Sequence, residues 1–329
     1  MAVRRVEEQL EQLTQLREAK PEEAVAGLRK ALGDRVNVVV AKAAKITAER
    51  QFQALVPELL QAFSRLFDDP LKRDPQCWGK NAIAGALKDL GYSESAPFLR
   101  GIKYRQMEPV WGGPDGGPHE VDTAENLRGT CLLALVACAD LDRDEALRVF
   151  VNALTEEAHI IRLEAARALG QMAGDEGALV LRLKARLGDE SPEVMGQVFD
   201  ALLAIEGGRA VPFVADFLER GGESGEEAAL ALGSSHLAGA LEALRTAWTG
   251  ARDPDFRAVL LRAISLSRSE DAVAWLIEIV RNSRKADAVA ALEALSLHSA
   301  SGEIRGKVRD ALKEREPEFE VQFRKLFPN

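Results

Sequence analysis

The chain has 329 residues, 47% hydrophobic but only 5% aromatic, enough for two globular domains or one long array of helical repeats. A net charge of −9 and a pI near 5.3 argue against a general nucleic-acid binder or an anionic-membrane binder, since both rely on many Lys and Arg meeting phosphates. Cys77, Cys131 and Cys138 form no C-x-x-C pair and imply no disulfide framework.

Met1-Ala2-Val3-Arg4-Arg5 leads into a charged helix rather than the apolar core of a signal peptide. No apolar run reaches membrane-spanning length. The expected setting is the cytoplasm. Residues 3–19 carry Val3, Val6, Leu10, Leu13 and Leu16 on one side. This helix is expected to cap the open end of the array rather than dimerise, because a coiled coil needs three or four heptads. Pro21 opens the next helix. A helix over 36–49 and an apolar one over 52–67, with Pro57 as its expected kink, complete the longer and less regular repeats of residues 21–104.

Arg105 to Val121 reads R-Q-M-E-P-V-W-G-G-P-D-G-G-P-H-E-V. Three prolines and four glycines exclude a helix, so residues 105–121 are expected as a loop insertion. Met107, Val110 and Trp111 argue against simple disorder. Two readings stand: the loop is a binding element, or it packs down and seals the N-terminal repeats.

One pattern recurs down most of the chain, in regular units from Asp122 to about Ser301. An Ala-Leu or Ala-Ile pair stands at 86–87, 134–135, 168–169, 201–202, 231–232, 263–264 and 294–295. Leu87 to Leu135 spans 48 residues; the later intervals are 34, 33, 30, 32 and 31. Four residues before the leucine or isoleucine of each pair, Ile83, Cys131, Ala165, Val198, Ala228, Leu260 and Ala291 are all apolar. Positions three and four apart share a helix face, so each repeat contains a helix with one buried, small-residue side. Between these helices lie others with bulkier apolar residues, such as Leu179, Leu181, Leu183 and Leu187. Gly174-Asp175, Gly188-Asp189 and Asp253-Pro254 mark turns, and Gly221 to Glu227 reads as the most flexible joint. Residues 302–329, with Phe319, Phe323, Leu326 and Phe327, close the far end.

Ile161-Arg162-Leu163-Glu164-Ala165-Ala166-Arg167-Ala168-Leu169-Gly170 resembles the short bacterial HEAT-like repeats, also called bilin-lyase-like HEAT repeats. The resemblance spans roughly residues 70–300. It implies an all-α, right-handed α-solenoid of about eight helical pairs with capping helices, as one domain over 1–329. A solenoid presents a large, pre-formed surface, so binding orders little additional backbone, and the expected function is that of a non-enzymatic scaffold or adaptor that binds a protein or peptide partner through its concave face and the 105–121 loop. The competing expectation is an enzyme on the same scaffold, bilin-lyase-like or DNA-glycosylase-like, with a deep pocket holding a buried carboxylate and an aromatic wall.

Lys80, Arg128, Arg162 and Arg257 each precede a repeat leucine or isoleucine by seven residues. Stacking would align them. The resemblance implies that such bases pair with aspartates such as Asp74 and Asp122 in a structural ladder; an anion-binding stripe is the other reading. Trp111, Met107, Arg128, Arg162 and Lys80 are the expected partner contacts. His119-Glu120 resembles one His-Glu motif of deoxyhypusine hydroxylase, but an iron site needs several, so no metal, cofactor or catalytic residue is expected.

Overall fold

The structure, a computed structural model, describes residues 2–112, 116–313 and 315–328, and the side chains of all of these except residues 2–5 and 118. Gly113, Pro114 and Asp115 of the expected loop, and the side chain of Val3, lie outside that description. The described residues form twenty α-helices and one two-stranded hairpin. Contacts divide it into two compact units, Met1–Met172 and Ala173–Asn329.

The first unit contains α1 (Ala2–Gln15), α2 (Pro21–Leu32), α3 (Asn37–Glu49), α4 (Val56–Arg65), α5 (Pro70–Arg73), α6 (Trp78–Asp89) and α7 (Ala96–Ile102). Strands β1 (Met107–Trp111) and β2 (Pro118–Asp122) follow, then α8 (Glu125–Leu135), α9 (Arg143–Ala153) and α10 (His159–Met172). Helices α3, α6, α8 and α10 pack on one another in succession. A partner helix backs each: α2 on α3, α4 on α6, α7 on α8 and α9 on α10. Helix α1 lies on α3.

The second unit contains α11 (Asp175–Leu187), α12 (Pro192–Glu206), α13 (Val211–Arg220), α14 (Gly222–Ser235), α15 (Ala240–Gly250) and α16 (Pro254–Leu266). It ends with α17 (Glu270–Asn282), α18 (Lys285–Leu295), α19 (Gly302–Leu312) and α20 (Pro317–Leu326). Here α12, α14, α16 and α18 form the successive row, backed by α11, α13, α15 and α17. Helices α19 and α20 close on α17 and α18. Each unit therefore holds four helix pairs.

The recurrent residues make the successive row. Leu87, Leu135, Leu169, Leu202, Leu232, Ile264 and Leu295 are all buried, as are the alanines before them. Full burial of each such leucine is worth about 1.5–3 kcal/mol. Small residues set the spacing. A Cβ on Gly233 of α14 would overlap the Ala263 carbonyl of α16, and one on Gly129 of α8 would press on Glu164 of α10.

Three local expectations are corrected. Pro57 does not kink a helix over 52–67: it stands in the first turn of α4, after a 3-10 turn at Gln53–Leu55, where a missing N–H costs nothing. The joint expected over Gly221 to Glu227 shortens to Gly221, because residues 222–227 are helical. Gly221, at φ +66°, ends one helix, and α14 starts at Gly222. Residues 105–121 are not a loop throughout, because ten of them or their neighbours pair as β1 and β2. No described helix is long and apolar enough to cross a membrane.

Candidate functional site

The site begins at the N-terminus of α6. Asp74 is buried and its carboxylate accepts the main-chain N–H groups of Gly79 at 2.7 Å and Lys80 at 3.0 Å, so it caps the helix. Lys80 Nζ lies 3.0 Å from the same carboxylate and donates to the Leu66 carbonyl at 3.1 Å, and neither side chain of the pair is exposed to solvent. Phe67 and Tyr104 face the ammonium at 5.4 and 5.1 Å, close enough for cation–π attraction.

Asp122 repeats this arrangement at α8. It accepts the N–H groups of Gln106 and Ala124, both at 3.0 Å, and pairs with Arg128, which also donates to the Tyr104 carbonyl at 3.2 Å. Burial raises the pKa of Asp122, but the Gln106 N–H, the Arg128 guanidinium and the Ala124 N–H outweigh it and hold the carboxyl below its usual range. Arg162 opens α10 and donates to the carbonyls of Glu156 and Glu157 at 2.8 and 2.6 Å. Arg257 opens α16. It forks onto Asp287 at 2.9 and 3.0 Å and donates to the Trp248 and Ala251 carbonyls at 2.8 and 3.1 Å.

One chemical role unites the four bases. Each reaches from the first turn of its helix to carbonyls at or just past the C-terminus of the preceding backing helix: α4, α7, α9 and α15. Those carbonyls have no partner within their own helix, and a cation there also opposes the negative end of the helix dipole. The Asp–base pairs expected from the resemblance are thus present for Lys80 and Arg128. Lys80, Arg128 and Arg162, expected as partner contacts, are buried and offer a partner almost no surface.

The hairpin grows out of this network. Gln106 is buried; its side-chain N–H donates to the Asp74 carbonyl at 2.8 Å and to Glu108 at 2.6 Å. The Glu108 carboxylate also accepts the N–H of Gln76 at 2.6 Å and the hydroxyl of Thr123 at 2.8 Å. The hairpin base is thereby tied to the entrances of α6 and α8 together. Above it, Met107, Pro109 and Trp111 share the exposed face of β1, while Glu108 and Val110 turn inward. Trp111 is 84% exposed and Met107 45%.

The register decides how the hairpin meets anything else. Thr123 N–H bonds the Gln106 carbonyl at 2.9 Å, so Gln106–Thr123 is a hydrogen-bonded pair. Alternation makes Glu108–Val121 and Val110–His119 the next ones. The main-chain groups of residues 107, 109 and 111, and of 118, 120 and 122, therefore point outward. Pro109 and Pro118 stand at two of those positions and have no N–H to give. Both edges are blunted against an added strand, so side chains rather than the backbone face a partner.

The features expected of an enzyme fall elsewhere. Asp122 and Arg128 pair with each other instead of lining a pocket beside Trp111. His119 and Glu120 lie exposed on β2, and among the described residues no three His, Cys, Asp or Glu groups converge on a metal position. A recess of about 510 Å³ in the first unit is lined by Lys45, Glu49, Asn81, Gly85, Asp89 and Thr130, with no aromatic wall. Burial pushes the Cys77 thiol up to about 12, which leaves it protonated and unreactive.

No protein-family profile matches the chain, and no curated protein matches it in sequence. Among solved structures, human deoxyhypusine hydroxylase in complex with glycerol is similar over 78% of this chain and 88% of its own, at 20% identity and a TM-score of 0.31. An engineered protein, structural genomics target OR497, is similar over 96% of this chain and 93% of its own, at 16% identity and a TM-score of 0.34. Both superpose loosely.

Proposed function

We propose that the protein is a non-enzymatic scaffold: a right-handed α-solenoid of HEAT-like pairs that binds a protein partner through the hairpin, with Trp111 as anchor and Met107 beside it. The observation that carries this reading is an indole 84% exposed at the end of a strand whose base is fixed by buried hydrogen bonds. Exposing so large an apolar group costs solubility unless something covers it. Tryptophans are enriched among the residues that dominate binding energy, and a pre-ordered hairpin loses little entropy when it docks. Lys80, Arg128 and Arg162 serve the reading indirectly, by fixing the helix entrances from which the hairpin rises.

A photo-crosslinking residue at position 107, in the native cell, tests it. A defined set of proteins is expected to crosslink and to be lost when Trp111→Ala is added. Recovery of the same set from the Trp111→Ala chain sinks the reading.

A further inference from the structure

The row of bases is interrupted in the second unit. Met195 and Gly225 stand where Lys80, Arg128, Arg162 and Arg257 stand in other repeats. Arg257 donates to carbonyls at the end of α15, and Arg315 donates to those of Arg281 and Ser283 at the end of α17, at 3.1 and 2.8 Å. Met195 is buried and puts an apolar stem in place of the base. Gly225 offers no stem at all, and the Phe217 carbonyl oxygen comes within 3.0 Å of the place its Cβ would take. The main-chain oxygens of Leu218, Glu219 and Arg220, at the end of α13, accept no hydrogen bond from the described residues.

Leu218, Glu219 and Gly221 also line a groove of about 730 Å³ between α13 and α15. Ala243, Ala247, Gly239 and Gly250 give it a floor of small residues, and Phe256 adds an apolar wall. Its charged lining is Glu219, Glu242 and Asp253 against Arg252, so acid prevails. Asp253 is engaged at the start of α16, where its carboxylate accepts the N–H groups of Asp255 and Phe256 at 3.4 and 3.3 Å. Glu219 and Glu242 are exposed and make no ion pair among the described residues. Arg252 is exposed too, and it donates no hydrogen bond to the described residues. Unpartnered carbonyls at the negative end of a helix and two free carboxylates thus border a mostly apolar recess.

We propose that this groove binds an organic cation: a primary ammonium or guanidinium on an unbranched alkyl stem. The charge stands at the end of α13 beside Glu219, where it supplies the donor that Gly225 cannot, and the stem lies along the alanine and glycine floor. Carbonyls and carboxylates only accept hydrogen bonds, and a cation with several N–H groups only donates them. An alkyl stem covers apolar surface while its head stays polar, as the stems of lysine and arginine do. A metal ion would match the oxygens but leave the apolar floor bare, and a neutral chain would bury the oxygens unpaired. The volume is that of a small-ligand pocket. A free polyamine and a lysine side chain of a protein share this chemistry. The groove is separate from the hairpin, and the two proposals stand or fall independently.

Titration of the full chain with n-pentylammonium chloride at constant ionic strength, followed by NMR of the backbone amides, tests it. Saturable shifts are expected at Gly221, Gly239 and Gly250, and 1-pentanol at the same concentrations is expected to leave them in place. Glu219→Gln and Glu242→Gln, both at exposed positions, should each weaken binding by about threefold or more, and Arg252→Ala should strengthen it. Spermidine and N-acetyl-lysine amide are then set to compete with pentylammonium, and the tighter of the two names the source as a free polyamine or a protein side chain. Shifts that never saturate overturn the proposal. Equal shifts with 1-pentanol do so too, because they mark an apolar recess only, as does binding that neither glutamate variant weakens.

Discussion

The Glu108 carboxylate on β1 accepts the main-chain N–H of Gln76 at 2.6 Å, and so holds a turn that would otherwise relax. Gln76 and Cys77 both adopt φ of +57°, a conformation that costs a non-glycine residue about 1–2 kcal/mol. Glu108→Ala removes the acceptor shared by Gln76, Gln106 and Thr123. It is expected to destabilise the first unit by about 1–3 kcal/mol. Cys77, buried beneath that turn, should then react faster with a thiol reagent under native conditions. Unchanged labelling of Cys77 would show that the carboxylate does not hold the turn.

Lys80 and Asp74 give the largest expected loss. Lys80→Ala leaves a fully buried carboxylate without its countercharge and should cost about 3–5 kcal/mol in urea denaturation. Asp74→Asn combined with Lys80→Met removes both charges and should recover part of that loss. Trp111→Ala, by contrast, changes an exposed side chain and should stay within about 0.5 kcal/mol. If Lys80→Ala proves as mild as Trp111→Ala, the pair does not have the structural role assigned to it.

The small-residue face was legible because a period near thirty returns the same buried positions, and every repeat leucine or isoleucine lies inside. The hairpin was not. The prolines and glycines of residues 105–121 exclude a helix but do not announce a strand, and the Pro109 and Pro118 positions become intelligible only once the register shows their N–H sides facing outward. The bases were legible as a row, yet their spacing does not reveal that they end on the carbonyls of the preceding helix. Leu179, Leu181, Leu183 and Leu187 show a related limit. Leu181 alone is core, and the other three share a second face that a plain count of apolar residues cannot separate.

Gly233 and Gly85 lie in equivalent rows but have opposite surroundings. At Gly233 a methyl group would strike the Ala263 backbone, whereas at Gly85 there is nothing within 4 Å. Gly233→Ala should therefore cost about 1–3 kcal/mol through overpacking of α14 against α16. Gly85→Ala, inside α6, should stabilise by about 0.5–1 kcal/mol through its lower chain entropy. Thermal denaturation of both variants checks the pair, and a common sign would contradict the assigned helix spacing.

Glu164 and Glu227 each stand five residues before their repeat leucine, and each packs on a glycine of the preceding row helix, Gly129 and Gly196. Their charge environments differ. Burial raises the carboxyl of Glu164, but Arg167 places one guanidinium nitrogen 3.0 Å from both its oxygens. Burial also raises Glu227, and the neighbouring Glu193, Asp200 and Glu226 add to the effect. A carboxyl whose folded pKa exceeds its unfolded value, near 4.3, opposes folding when ionised. That penalty is complete above the folded pKa and disappears as pH falls to the unfolded one. Glu227→Gln is therefore expected to stabilise the second unit at pH 7 by about 0.5–2 kcal/mol, with the gain shrinking toward pH 4. Glu164→Gln loses the Arg167 pair and should gain less. Melting curves of both variants across pH 4–8 decide it: a Glu227→Gln gain that persists undiminished at pH 4 would mean that relief of the carboxylate charge is not its source.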